Sequence, residues 1–145
     1  MSDANIKHAF FKEVVDSCKQ YFSKMQGKRG YAQIRGLLPD HLEKGSHFEI
    51  SKNDTSKILF VEFHIEKDDG TENLQTIIKY CKEVCIFDKR IEYDTKGHRK
   101  GRLFIMCSYS DGVEKIQAYI NEFIYQVKSR IEILTEMFKE HKEKN

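Results

Sequence analysis

Residues 57–67 read KILFVEFHIEK. Leu59, Val61, Phe63 and Ile65 alternate there with Phe60, Glu62, His64 and Glu66. A strand turns successive side chains to opposite faces, so this spelling predicts one apolar face and one more polar face. Upstream, residues 47–51 (HFEIS) set Phe48 and Ile50 against polar neighbours in the same way. Asn53, Asp54 and Thr55 lie between the two runs and are turn formers. Together they predict a β-hairpin.

Working outward, residues 4–26 carry Phe10, Phe11, Val14, Val15, Cys18, Tyr21, Phe22 and Met25 at helical spacing, with Gly27 as a stop. YAQIRG at 31–36 is a candidate short strand, and Pro39 and Gly45 break anything longer. Thr71 is a candidate N-cap for a helix bearing Leu74, Ile77, Ile78, Cys81, Val84 and Cys85. Two more strands follow, RIEYD at 90–94 and GRLFIMCSYS at 101–110. The second is almost continuously apolar, as a central strand would be. From Asp111 to Lys142, apolar residues recur every three or four positions from Val113 to Met137 or Phe138. A helix of that length runs roughly 48 Å, well beyond a typical strand of about 17–20 Å. The part that overhangs the sheet calls for a cover, and a second copy of the chain is the expected one. The order is α-(β)-β-β-α-β-β-α. It predicts an α+β fold with an antiparallel sheet of four to five strands and helices on one face, within one domain spanning 1–145.

The 145 residues are 39% hydrophobic and 33% charged, enough to bury a core. No apolar run reaches the length of a signal sequence or a membrane span, so a soluble, cytoplasmic protein is expected. Cys18, Cys81, Cys85 and Cys107 each lie on an apolar face. Cys81 and Cys85 have helical i, i+4 spacing, and a zinc site would need two further ligands from elsewhere. Buried reduced thiols are the expectation. His41 and His47 flank a loop-like HLEKGSH and are expected in solvent.

Glu62 and His64 share one side of their strand. With Asp40 they imitate the acid and acid-x-lysine pattern of restriction-type nucleases, but His64 stands where the lysine should be. A strand with a polar outer face spells the same letters. No dinucleotide, Walker-type, G-x-S-x-G or H-E-x-x-H motif occurs. No catalytic residue, cofactor or metal is expected.

Charge is the most informative feature. Residues 89–102 hold six cations (Lys89, Arg90, Lys96, Arg99, Lys100, Arg102) against Glu92 and Asp94, a net +4. Residues 24–35 hold Lys24, Lys28, Arg29 and Arg35 without an acid, again +4. The whole chain is +2, which leaves −6 for the rest. Tyr31 and His98 sit among these cations, and aromatics beside cations suit stacked bases and phosphates. Gly97 and Gly101 would let backbone amides approach an anion. A solvated hairpin tip has the same composition.

The early aromatic helix (HAFFKEV), the ILFVEFHI, DKRIEYD and KGRLFI strands and the long final helix resemble an uncharacterised bacterial domain family. That family is found appended to restriction-endonuclease-like proteins. The resemblance implies a non-catalytic accessory domain in a DNA-handling or defence setting. The element order also looks like small bacterial secretion chaperones, homodimers that wrap an extended partner peptide. Those are typically acidic, whereas this chain has two cationic segments.

The leading expectation is a non-enzymatic module that binds an anionic partner, nucleic acid first, in a bacterial or phage context. Its contacts would be Lys28, Arg29, Arg35, Lys96, Arg99, Lys100 and Arg102. The alternative is a protein-interaction module: a dimeric chaperone, an immunity protein or a phage-encoded inhibitor. It would use the sheet face or the C-terminal helix, the latter also serving a homodimer.

Overall fold

The alternation in residues 57–67 becomes the middle of a five-stranded antiparallel sheet. The computed structural model describes residues 3–18, 31–34, 46–53, 55–65, 79, 82–83, 89–95 and 101–144. Strands β1 (Tyr31–Ile34), β2 (Ser46–Asn53), β3 (Ile58–Ile65), β4 (Glu92–Asp94) and β5 (Gly101–Ser108) are arranged in the order β1-β2-β3-β5-β4. Helix α1 covers Asp3–Ser17 and helix α2 covers Val113–Lys144. The α+β class and the strand assignments agree with the sequence reading. The helix expected after Thr71 lies mostly outside the described residues, of which Lys79, Lys82 and Glu83 are helical.

The β2–β3 hairpin pairs along its whole length, from Ser46 opposite Ile65 to Asn53 opposite Ile58. Its turn is closed by Asn53, whose Oδ1 accepts the backbone N–H groups of Thr55 (3.1 Å) and Ser56 (3.2 Å). A short polar side chain capping its own turn is why asparagine is favoured there. β5 pairs with β3 over eight residues, from Ile58 opposite Ser108 to Ile65 opposite Gly101. β4 reaches only Arg102, Leu103 and Phe104 of β5.

One sheet face holds Phe48, Ile50, Leu59, Val61, Phe63, Ile65, Leu103, Ile105 and Cys107, all buried. The helices supply the opposing layer. Phe11, Val14, Val15 and Cys18 of the α1 region meet Ile116, Ile120, Phe123, Ile124, Val127 and Ile131 of α2 in the same core. Both sets have the three- and four-residue spacing of one helix stripe. Phe48 packs on Phe63 (5.2 Å between centroids) and edge-on to Phe123 (6.2 Å). Gln117 Nε2 of α2 donates to the Ser17 carbonyl at 2.7 Å, satisfying one of the carbonyls that α1 leaves open at its end.

Two boundaries differ from expectation. α1 ends at Ser17, where Cys18 N–H bonds the Val15 carbonyl at 3.0 Å. The rest of its expected stripe lies outside the described residues. α2 begins at Val113, because a 3₁₀ turn over Tyr109–Asp111 precedes it and Gly112 (φ 85°) redirects the chain. Left-handed backbone of that kind favours glycine. No helix among the described residues is long and apolar enough to cross a membrane.

Candidate functional site

The second face of the sheet divides into rows set by strand register. One row runs Tyr31, Ser51, Phe60, Met106 across β1, β2, β3 and β5. The next runs Gln33, Glu49, Glu62, Phe104, Glu92, and a third runs His47, His64, Arg102, Asp94. The polar alternates of the last two rows on β2 and β3 are not solvated. Glu62 is 2% exposed and His64 1%, and His47 and Glu49 are also buried. This corrects the expectation of His47 in a solvent-facing loop. It lies on β2, placed by the pairing of His47 with His64.

Burying charge is costly unless it is paired. Here a chain of contacts supplies the pairing. Arg102 Nε and Nη2 donate to Asp94 Oδ1 (2.7 Å) and Oδ2 (3.0 Å), a bidentate clamp. Arg102 Nη1 donates to Glu62 Oε1. The guanidinium lies 4.3 Å from the Phe104 ring centroid. The hydrogen bonds it donates to Asp94 chiefly raise the Arg102 pKa above its ordinary value. Burial opposes this, and the Glu62 and Asp94 charges reinforce it. Glu62 Oε2 then contacts His64 Nε2 at 2.8 Å.

Glu49 sits between the two histidines. Its Oε2 is 3.6 Å from His64 Nε2 and its Oε1 is 3.6 Å from His47 Nε2. Gln33 Nε2 approaches Oε1 at 3.5 Å. The imidazole rings are 5.1 Å apart, edge to face. His47 Nε2 is buried and has no hydrogen-bond partner. One ligand atom each from His47, Glu49 and His64 lies within 4.8 Å of the others, the spacing of a potential metal-binding group.

Of the seven cations expected to meet nucleic acid, Lys28, Arg29, Arg35, Lys96, Arg99 and Lys100 lie outside the described residues. Arg102 is placed, and it is not a solvated hairpin cation: its charge is engaged by Asp94 and Glu62. Gly101 serves packing. A Cβ there would come within 2.8 Å of Tyr93 Oη. Among the cysteines, Cys18 and Cys107 are buried free thiols, while Cys81 and Cys85 lie outside the described residues. Burial raises the Cys18 pKa and pushes Cys107 up to about 11.

The fold defines an open antiparallel sheet with its described helices on one face and a charged cluster on the other. No family model matches the chain, and no curated protein matches it. Two solved structures match over most of its length. A chain of the HopA1–SchA chaperone–effector complex is 12% identical, with a TM-score of 0.49, covering 85% of this chain and 94% of that one. A chain of the ExsC–ExsE complex is 10% identical, with a TM-score of 0.51, covering 90% and 94%. At such identities the likeness is one of fold.

Proposed function

We propose that this chain is a non-enzymatic protein-interaction module. It holds an apolar segment of a protein partner against the outer row of Tyr31, Phe60 and Met106. The observation that carries this reading is the exposure of that row: Met106 is 53% exposed and Tyr31 43%, with Phe60 partly exposed between them. Three strand spacings make the row roughly 14 Å wide. Methionine and tyrosine suit such surfaces, being adaptable and amphipathic.

The edge of β5 supports an extended partner. Tyr109 N–H bonds the Lys57 carbonyl, so odd-numbered residues of this strand bond toward β3 and even-numbered ones toward β4. β4 stops opposite Phe104, which makes Met106 the first even position past its end. A partner strand laid there would continue the sheet. The likeness of fold to a chain of the two-protein ExsC–ExsE complex, and the element order shared with secretion chaperones, favour the same reading. Tyr125 and Ile133 stand exposed on α2, which suits a second copy of the chain at that helix.

The test is recovery of the native complex from the protein's own cells, in high salt and after nuclease treatment. A single protein should co-purify, and Met106→Glu should reduce its recovery at least tenfold while leaving the circular dichroism unchanged. Light scattering of the complex reports whether the chain contributes 17.2 kDa or twice that mass. Full recovery with both Met106→Glu and Tyr31→Glu would remove the row from the interface. Loss of the partner on nuclease treatment would favour the nucleic-acid reading, which rests on sequence charge.

A further inference from the structure

The geometry points to a divalent metal site on the outer sheet face, with His47 Nε2, His64 Nε2 and the Glu49 carboxylate as ligands and Zn²⁺ as the fitting ion. Three observations converge on it. First, His47 Nε2 is buried without a hydrogen-bond partner and stands 3.6 Å from Glu49 Oε1. A buried imidazole nitrogen with nothing to bond costs free energy unless something fills the gap.

Second, Glu49 is a buried carboxylate held only at arm's length. Its contacts to Gln33, His47 and His64 stand at 3.5, 3.6 and 3.6 Å. Those distances are long for charge-assisted hydrogen bonds, which run about 2.7–2.9 Å. They are close to the roughly 3.3–3.5 Å that separates ligands around tetrahedral zinc, given bonds of about 2.0–2.2 Å. The three ligand atoms already lie within 4.8 Å of one another, so modest side-chain rotation completes the site.

Third, the donor set suits a divalent cation: two histidines and one carboxylate are a known zinc set, with a fourth position left for water or another carboxylate. Glu62 Oε2, 2.8 Å from the same His64 Nε2, is the adjacent carboxylate, and the ion would take the place of the proton those two atoms share. Arg102 fixes the other Glu62 oxygen, which orients the group as an outer partner of a metal ligand would. The ligands come from adjacent strands, His47 and Glu49 from β2 and His64 from β3, so the ion would clasp the hairpin across its register.

The experiment is titration of the chelator-stripped full chain with Zn²⁺ and, for its spectrum, Co²⁺. One equivalent should bind with submicromolar affinity. The melting temperature should rise by about 5–10 °C at a hundredfold excess over Kd. The Co²⁺ complex should show visible bands without the near-ultraviolet thiolate charge transfer that cysteine ligation gives. His47→Ala should weaken binding roughly 100-fold or more, and Glu49→Gln should weaken it while keeping the side-chain shape. No saturable uptake below about 100 μM, a thiolate band, or unchanged affinity in folded His47→Ala would each overturn the assignment. If His47→Ala does not fold, Glu49→Gln and the wild-type spectrum decide it.

Discussion

The two faces of this sheet are built from the same strands and bury their centres to a similar depth, yet they obey different rules. On the inner face, Phe63 is surrounded by hydrocarbon and contributes by area and fit. On the outer face, Glu62 is equally buried and persists because Arg102 and His64 hold its two oxygens. An inner residue can be trimmed, and the loss scales with the cavity. An outer residue cannot lose its partner without stranding a charge. The inner face is tolerant in detail and costly in volume, whereas the outer face is intolerant in detail.

The largest test of that contrast is Phe63→Ala. It should destabilise the chain by about 3–5 kcal/mol in urea unfolding, through lost burial plus a cavity. Arg102→Ala should follow at about 3 kcal/mol, by taking the guanidinium away from the Glu62 and Asp94 carboxylates. The sharper measurement is the cycle with Glu62→Gln. If the outer face works by pairing, the double variant should be less destabilised than the sum of the singles, by about 1 kcal/mol or more. Additive losses would mean that the outer cluster behaves like the inner core.

A smaller effect lies with Cys107, a buried thiol of the inner face. Burial chiefly pushes its pKa from 9.0 to about 11. The folded chain therefore keeps the proton between those values while the unfolded chain loses it. This contribution is fully present below pH 9 and is lost as pH rises toward 11. Urea midpoints across that range should fall, and Cys107→Ala should flatten the decline. Native Cys107 should resist alkylation at pH 8, since the thiolate is the reactive form.

The inner face was legible in the sequence because period-two alternation says which residues share a side. Leu59, Val61, Phe63 and Ile65 could be assigned to the core from their letters. Glu62 and His64 could be assigned to the opposite side for the same reason, but alternation does not tell a wet face from a dry one. His47 and Glu49 were harder still. Their meeting with Glu62 and His64 depends on a hairpin register set by the Asn53 turn, and the break at Gly45 made His47 read as loop. Arg102 read as one cation in a basic run, because Glu62, forty residues away, is brought beside it only by the β3–β5 pairing. The α2 start was misplaced by two residues for a local reason: the 3₁₀ turn and Gly112 consume the positions that the periodicity gave to the helix.

The hydrogen bond from Gln117 to the Ser17 carbonyl joins residues one hundred positions apart. At about 5–20 residues per second, ribosomal synthesis separates them by roughly 5–20 s. Throughout that interval α1 has been made, while the α2 surface that buries Phe11, Val14 and Val15 has not. α1 thus waits for α2, and until α2 is made the stripe of Phe11, Val14 and Val15 stands open to capture by other molecules.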